Sequence, residues 1–352
     1  MEIYCLIAAI RAHLNSLSEK KHVLQFFELQ EASQCLSLDV ENDIEKMLQK
    51  IKEYFTTHNQ IPGKILLKNF GTLYCSEAKG EGRFYGKVAV ITGAAQGLGE
   101  AFARKLSKDG AMVVLADRNI TGIQKLEEEI SNSSKCLSVQ TDVTNSKSVE
   151  ELVEKSVKQF GGIDIFISNA GIVYAGGLDV AKEEEFDRIN EVNYKGYFHC
   201  AKACSKIMKM QTRYDQNTYA DIIQINSKSG LRGSKANFMY SASKFAGIGL
   251  TQSFALELAP YRIKVNSICP GNYYEGNLWS DPKNGLFIQY LNAGKVPEAK
   301  NVEDVKRHYL SQVPMGKGCS PDDIYRAIVY AIEQTGETGQ AIPVTGGQTM
   351  LS

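Results

Sequence analysis

A tyrosine and a lysine four residues apart, Tyr240 and Lys244 in the stretch Tyr-Ser-Ala-Ser-Lys, open a long helical run past the middle of the chain. At that spacing both side chains lie on one helix face. A phenol titrates near ~10 in water, and an adjacent ammonium favours its ionised form, so the pair suits proton transfer at neutral pH. The same spacing also suits an ordinary solvated pair, and the residues upstream must decide. Gly93, Gly97 and Gly99 follow an apolar run directly and open another helical run. Glycines between a strand and a helix let the backbone approach a pyrophosphate, while the helix N-terminus offers unpaired N–H groups and a partial positive charge. Gln96 and Leu98 lie within that turn and join its expected cofactor contacts. Asp117 ends the next apolar run, eighteen residues beyond Gly99. A carboxylate there accepts hydrogen bonds from ribose hydroxyls and repels a 2′-phosphate. NAD is therefore expected over NADP, with Arg118 leaving room for dual use. Asp142, followed by Val143, ends a third strand and either reaches an adenine ring or caps a helix. Asn169-Ala170-Gly171 closes a fourth strand with a small turn that would line the groove.

The elements that would carry these residues alternate. Strands are expected at 87–92, 111–116, 136–140, 163–168, 222–227 and 263–268, and helices at 100–109, 121–130, 146–160, 184–210 and 240–259. This predicts an α/β fold: a Rossmann-like doubly wound parallel sheet of about seven strands, with ligands at the carboxyl ends of the strands where their order reverses. Residues 1–82 read instead as a small, mainly helical N-terminal extension, joined to 83–352 by a linker at 78–83 rich in Gly, Lys and Glu. There Val40, Ile44, Met47, Leu48, Ile51 and Phe55 recur at helical spacing, Pro62-Gly63 ends the helix, and KILLKNFGTLY fits one strand and a turn. His13, His22 and His58 lack partners at ligand spacing, and no metal site is expected.

Composition narrows the classes further. Lys and Arg number 40 against 40 Asp and Glu, so no global charge favours nucleic acid or an anionic membrane as partner. A small molecule is the expected partner. The 8 cysteines include no Cys-x-x-Cys pair, which points to a reduced, cytoplasmic protein. Glu2 stands where a signal peptide carries positive charge, and no run approaches the ~20 apolar residues that span a bilayer.

Taken in order, these motifs resemble the short-chain dehydrogenase/reductase family from about Gly86 to the C-terminus. Thr92-Gly93-Ala94-Ala95-Gln96-Gly97-Leu98-Gly99 is similar to the family's Thr-Gly-x-x-x-Gly-x-Gly, Asn169-Ala170-Gly171 to its Asn-Ala-Gly, and Tyr240 with Lys244 to its Tyr-x-x-x-Lys. Ser227, thirteen residues before Tyr240, stands at the position of the family's catalytic serine, Asn193 at that of its helix asparagine, and Pro270-Gly271 at that of the turn beside the nicotinamide. The resemblance implies that Tyr240 exchanges a proton with the substrate oxygen while hydride moves at nicotinamide C4. It implies that Lys244 lowers the Tyr240 pKa and holds the ribose, that Ser227 hydrogen-bonds the substrate oxygen, and that Asn193 holds a water linking Lys244 to solvent. A threonine that often follows Pro-Gly in the family is replaced here by Asn272-Tyr273-Tyr274, and the segment at about 272–315 is expected to form a substrate lid.

Local strings, among them Ser227-Lys228-Ser229-Gly230 and Val344-Thr345-Gly346-Gly347-Gln348, are similar to members that interconvert a polyol phosphate and a ketose phosphate with NAD. The expected substrate is then a polyol or sugar phosphate, with Lys228, Arg232 and Lys235 as candidate phosphate ligands, although a solvated basic loop reads the same way. Lys283 and Lys295 in the lid are further candidates. Two alternatives stand beside this: a carbonyl reductase for another substrate, such as a 3-ketoacyl thioester or a free polyol, and a dinucleotide-sensing protein without chemistry. The family implies a homodimer or homotetramer through the helices starting near Glu184 and Tyr240. GKILLKNFGTLY is similar to the end of a class II aldolase-type domain, but Phe70-Gly71 stands in place of a metal-binding His-Gly and no His-x-His occurs. That implies a non-catalytic remnant or an oligomer-contact module.

Overall fold

The computed structural model describes residues 2–18, 20–28, 35–41, 43–131 and 135–350. The chain begins with helix α1 (Ile3–Leu17), in which Leu6 through Ile10 are buried in unbroken succession. A helix apolar on all sides must be covered on all sides. Strands β1 (His22–Glu28) and β2 (Leu36–Leu38), helix α2 (Ile44–His58) and the hairpin β3 (Lys64–Leu67) and β4 (Gly71–Glu77) follow. Asp43 caps α2 by accepting from the Lys46 amide, and Asn59 ends it in the left-handed conformation at φ 50°. The extension thus has the one helix placed from its spacing, α2, and in addition α1 and a four-stranded sheet in the order β1-β4-β3-β2. Only its β3 to β4 portion was anticipated, as one strand and a turn.

The remainder is a seven-stranded parallel sheet. Its elements are β5 (Val88–Thr92), α3 (Gly97–Lys108), β6 (Met112–Asp117), α4 (Ile120–Ile130), β7 (Cys136–Gln140), α5 (Ser146–Phe160), β8 (Ile165–Ser168), α6 (Glu183–Ile189), α7 (Gly196–Tyr214), β9 (Ala220–Ile225), α8 (Phe238–Leu258) and β10 (Ile263–Pro270). Then come α9 (Asn277–Ser280), α10 (Leu286–Asn292), α11 (Val302–Ser311), α12 (Pro321–Glu333) and β11 (Ala341–Val344). Every residue of β5, β8, β9 and β10 is buried, as a sheet covered on both faces requires. The order β11-β10-β9-β8-β5-β6-β7 reverses between β5 and β8, the expected doubly wound arrangement. The helix expected at 184–210 is divided: a π-helical turn at Asn190–Lys195 separates α6 from α7. Such single turns shift the register by one residue and often sit at functional sites.

Extension and sheet share one hydrophobic core. Leu6, Ile7, Ile10 and Leu24 pack in the same cluster as Val153, Phe160, Phe166 and Cys204. At its polar centre Arg11 donates to both carboxylate oxygens of Asp164, at 2.9 and 3.4 Å, and to the carbonyls of His22 and Gly86. The segment at 272–315, expected to form a lid, has a separate small core, built from Tyr274, Trp279, Phe287, Tyr290, Val305 and Tyr309. No described helix is long and apolar enough to cross a membrane.

Candidate active site

A cavity of about 970 Å³ opens at the carboxyl ends of the strands, where the strand order reverses. Its floor is the turn after β5. Gly93 adopts φ 69°, and a Cβ on Gly99 would lie 2.1 Å from the Gly93 carbonyl oxygen, so the turn closes on the helix only with glycine there. Gln96 occupies the N-cap position of α3 without a side-chain cap, leaving the first N–H groups for another acceptor. Asn169 locks the neighbouring turn onto this one: its Nδ2 donates to the Thr92 and Gly93 carbonyls at 2.9 and 3.2 Å, while Thr92 Oγ1 accepts from the Asn169 and Ala170 amides. A bare backbone concavity ahead of an uncapped helix fits a dinucleotide pyrophosphate.

Of the cofactor residues expected from sequence, Gly93, Gln96, Gly97 and Leu98 line the cavity, as do Asp117, Asp142 and Val143. Asn169, Ala170, Gly171, Pro270 and Gly271 line it on the other side of the switch point. Gly99 does not line it and acts instead through its close packing on Gly93. Asp117 stands at the end of β6, its two oxygens accepting from the Ala95 and Asn119 amides at 3.1 and 2.9 Å. Asp142 accepts from both the amide and the hydroxyl of Thr144. It therefore holds the loop before α5 while lining the cavity, but the helix cap raised as its alternative role falls to Asn145, which accepts from the Lys147 and Ser148 amides.

Ser227, Tyr240 and Lys244 meet at the inner end of the cavity. Lys244 Nζ donates to the Ile225 carbonyl at 2.9 Å and lies 5.5 Å from the centre of the Tyr240 ring. Burial pushes the Tyr240 phenol up to about 12, partly offset by its hydrogen bond with Ser227, and pushes the Lys244 ammonium down to about 8. The expectation that Lys244 lowers the tyrosine has no counterpart here: burial is the leading influence on both groups, and the ammonium stands 5.5 Å from the centre of the ring. The phenol is accordingly protonated at neutral pH. Asn226 went unnoticed in the sequence. Its Oδ1 accepts from the Ser227 amide and its Nδ2 donates to the Lys244 carbonyl, at 2.8 and 3.0 Å, so one buried amide sets the spacing of two site residues.

Asn193 does not line the cavity. Its side chain accepts from the Ile172 amide, donates to the Ile172 carbonyl and reaches Ser243 Oγ. The amide is thus committed to tying the Gly171–Ile172 turn against α8. Of the three candidate phosphate ligands, Lys228 lines the main cavity, whereas Arg232 and Lys235 line a smaller side cavity of about 210 Å³ that shares Lys228 with it. The lid residues Lys283 and Lys295 also line the main cavity, Lys295 with its ammonium 3.9 Å from the centre of the Tyr290 ring.

Comparison with known proteins agrees with this geometry. Residues 87–280 match the family model of short chain dehydrogenase. Sorbitol-6-phosphate 2-dehydrogenase of Escherichia coli is 35% identical over 271 residues, covering 75% of this chain and 99% of the relative. A 3-oxoacyl-acyl-carrier-protein reductase of Thermotoga maritima is 31% identical over 268 residues, covering 75% and 98%. Among solved structures, NAD+-bound xylitol dehydrogenase superposes with a TM-score of 0.70 at 30% identity, covering 75% of this chain and all of that one. The relatives are used almost end to end, while a quarter of this chain lies beyond them. With the glycine turn, the reversal of strand order and the Ser227, Tyr240 and Lys244 cluster in place, the chain belongs to the short chain dehydrogenase family of oxidoreductases, built on a fold that binds pyridine nucleotides.

Proposed function

We propose that this protein is an NAD-dependent dehydrogenase for a polyol and ketose pair, with sorbitol 6-phosphate and fructose 6-phosphate as its substrates. The observation that carries the reading is the position of Lys228, a half-buried cation one residue beyond Ser227 that faces the same cavity as Tyr240. A cation beside the reacting end of the cleft favours an anionic substrate. The nicotinamide, when bound, accepts or supplies the hydride. Tyr240, protonated at neutral pH, donates to the carbonyl oxygen in reduction and recovers the proton in oxidation, while the Ser227 hydroxyl hydrogen-bonds that oxygen as its charge develops. Lys244 holds the nicotinamide ribose. Asn193 keeps the Gly171–Ile172 turn in place, and a water relay at this point would run through the backbone rather than through its committed amide. Asp117 favours NAD because its carboxylate accepts from ribose hydroxyls and repels a 2′-phosphate.

Residues 83–352 are read as the catalytic unit with a lid at 272–315, and residues 1–82 as a non-catalytic extension. A dimer or tetramer is favoured by the exposed rings of Phe186, Phe198 and Phe245 on α6, α7 and α8. Reduction of other carbonyls, such as a 3-ketoacyl thioester, is the second reading, favoured by the similarity to the Thermotoga reductase. Initial rates with NADH and fructose 6-phosphate, fructose or an acetoacetyl thioester separate the two. A clear preference for fructose 6-phosphate supports the first reading, and equal or faster turnover of the thioester overturns it.

A further inference from the structure

The side cavity draws its walls from three separate parts of the chain: Lys228, Arg232 and Lys235 after β9, Lys295 and His308 from the lid, and Gln348 from the C-terminal segment. None of the described residues lining it is an Asp or Glu. Nor does any of these four Lys and Arg side chains take part in an ion pair among the described residues. Lys228 Nζ instead donates to Gln348 Oε1 at 2.7 Å, and Lys295 rests on the Tyr290 ring. Burial and the neighbouring charges of Arg232 and Lys295 push the Lys228 ammonium down to about 8, and burial alone does the same to Lys295. Two half-buried ammonium groups facing one small cavity without an acid are mutually repulsive, and an anion between them removes that cost.

We propose that this side cavity is the seat of the substrate's phosphate monoester, held directly by Lys228 from the catalytic side and Lys295 from the lid. The proposal rests on the dehydrogenase reading above and deepens it. The two cavities share Lys228, Ser229, Ser234, Lys295 and Tyr309, so a chain-form sugar phosphate with its carbonyl at Tyr240 extends its far end into the basic annex. The phosphate then joins lid, catalytic loop and C-terminal segment, and Lys295 becomes the lid's reporter of a phosphorylated substrate.

The test compares kcat/KM for fructose 6-phosphate and for fructose in the wild type, in Lys295→Met and in Lys295→Arg, with inorganic phosphate as a competing probe. The expected result is a wild-type preference for the phosphorylated ketose that falls by roughly 30-fold in Lys295→Met, the scale of one charge-assisted hydrogen bond, and is largely kept in Lys295→Arg. Inorganic phosphate competes with fructose 6-phosphate in the wild type and at least tenfold more weakly in Lys295→Met. If the wild type shows no preference for the phosphorylated ketose, the sugar phosphate reading itself fails. If it shows the preference and Lys295→Met retains it, or loses both substrates in equal proportion, the dehydrogenase reading stands and the side cavity is not the phosphate seat.

Discussion

The guanidinium of Arg11 meets the carboxylate of Asp164 across 153 residues of sequence, with both side chains almost wholly buried, at 2% and 6% exposure. Asp164 also accepts from the Val88 amide at 2.7 Å and from Gln211. One carboxylate thereby gathers the first helix of the extension, the first strand of the large sheet, and α7. Removing one partner of such a pair leaves a buried charge uncompensated, so Arg11→Met should destabilise the protein by about 3–5 kcal/mol. A thermal unfolding curve no lower than that of the wild type would contradict this.

The pair also sets a dependence on pH. Burial alone would raise the Asp164 pKa, but Arg11, Lys87 and the Val88 amide outweigh it and hold the carboxyl below its ordinary value. A carboxylate with a depressed pKa stabilises the fold above the ordinary aspartate pKa of ~3.9, and that contribution is lost as pH falls through the folded-state value. The stability gap between wild type and Arg11→Met is therefore expected to be widest near neutral pH and to narrow below about pH 4. Melting temperatures of both proteins between pH 3 and 8 check the sign.

Tyr240→Phe removes the proposed proton donor while leaving the ring. Turnover is expected to fall by at least ~10²-fold, the usual share of a general acid or base, with NADH binding retained when followed by cofactor fluorescence. Retention of most turnover would favour a protein that binds the dinucleotide without this chemistry.

Because burial holds the Tyr240 phenol protonated, with a pKa of about 12, ketone reduction should be nearly flat with pH through neutrality. Alcohol oxidation, which needs the phenolate, should climb as pH rises. Ser227 partly offsets that upward shift, so Ser227→Ala should displace the oxidation limb to higher pH as well as lowering its height. Profiles of kcat/KM in both directions test this, and an unmoved oxidation limb would sever the link between the two hydroxyls.

Asp117→Ser takes away the carboxylate at the end of β6. The ratio of kcat/KM for NAD over NADP should fall by about 10- to 100-fold, the scale of hydrogen bonds to a charged group. An unchanged ratio would place cofactor choice elsewhere, with Arg118 as the next residue to vary.

Much of the site could be read from sequence because local pattern and function coincide there. The strand, glycine turn and helix around Gly93–Gly99 carry their own signal, as do the strand-end residues Asp117, Asn169 and Ser227. What escaped had physical reasons. Helix α1 is buried on every side from Cys5 to Ala12, so no 3.6-residue period marks it. The π-helical turn at Asn190–Lys195 is a register shift that no residue type announces. Strand β11 is four half-buried or exposed residues, too short to alternate visibly. Asn226 gains meaning only when β9 and α8 close around Ser227 and Lys244.

The separate core of the 272–315 segment bears on how much order a bound substrate has to supply. Tyr274, Trp279 and Phe287 pack ring against ring, with Trp279 also against Tyr290 and Tyr309, while Met315 and Gly346 join the lid's far end to the C-terminal segment through a backbone hydrogen bond. The rings of this segment are therefore packed against one another with no ligand needed to order them. If the segment closes over substrate as a lid, it does so with little further ordering entropy to lose.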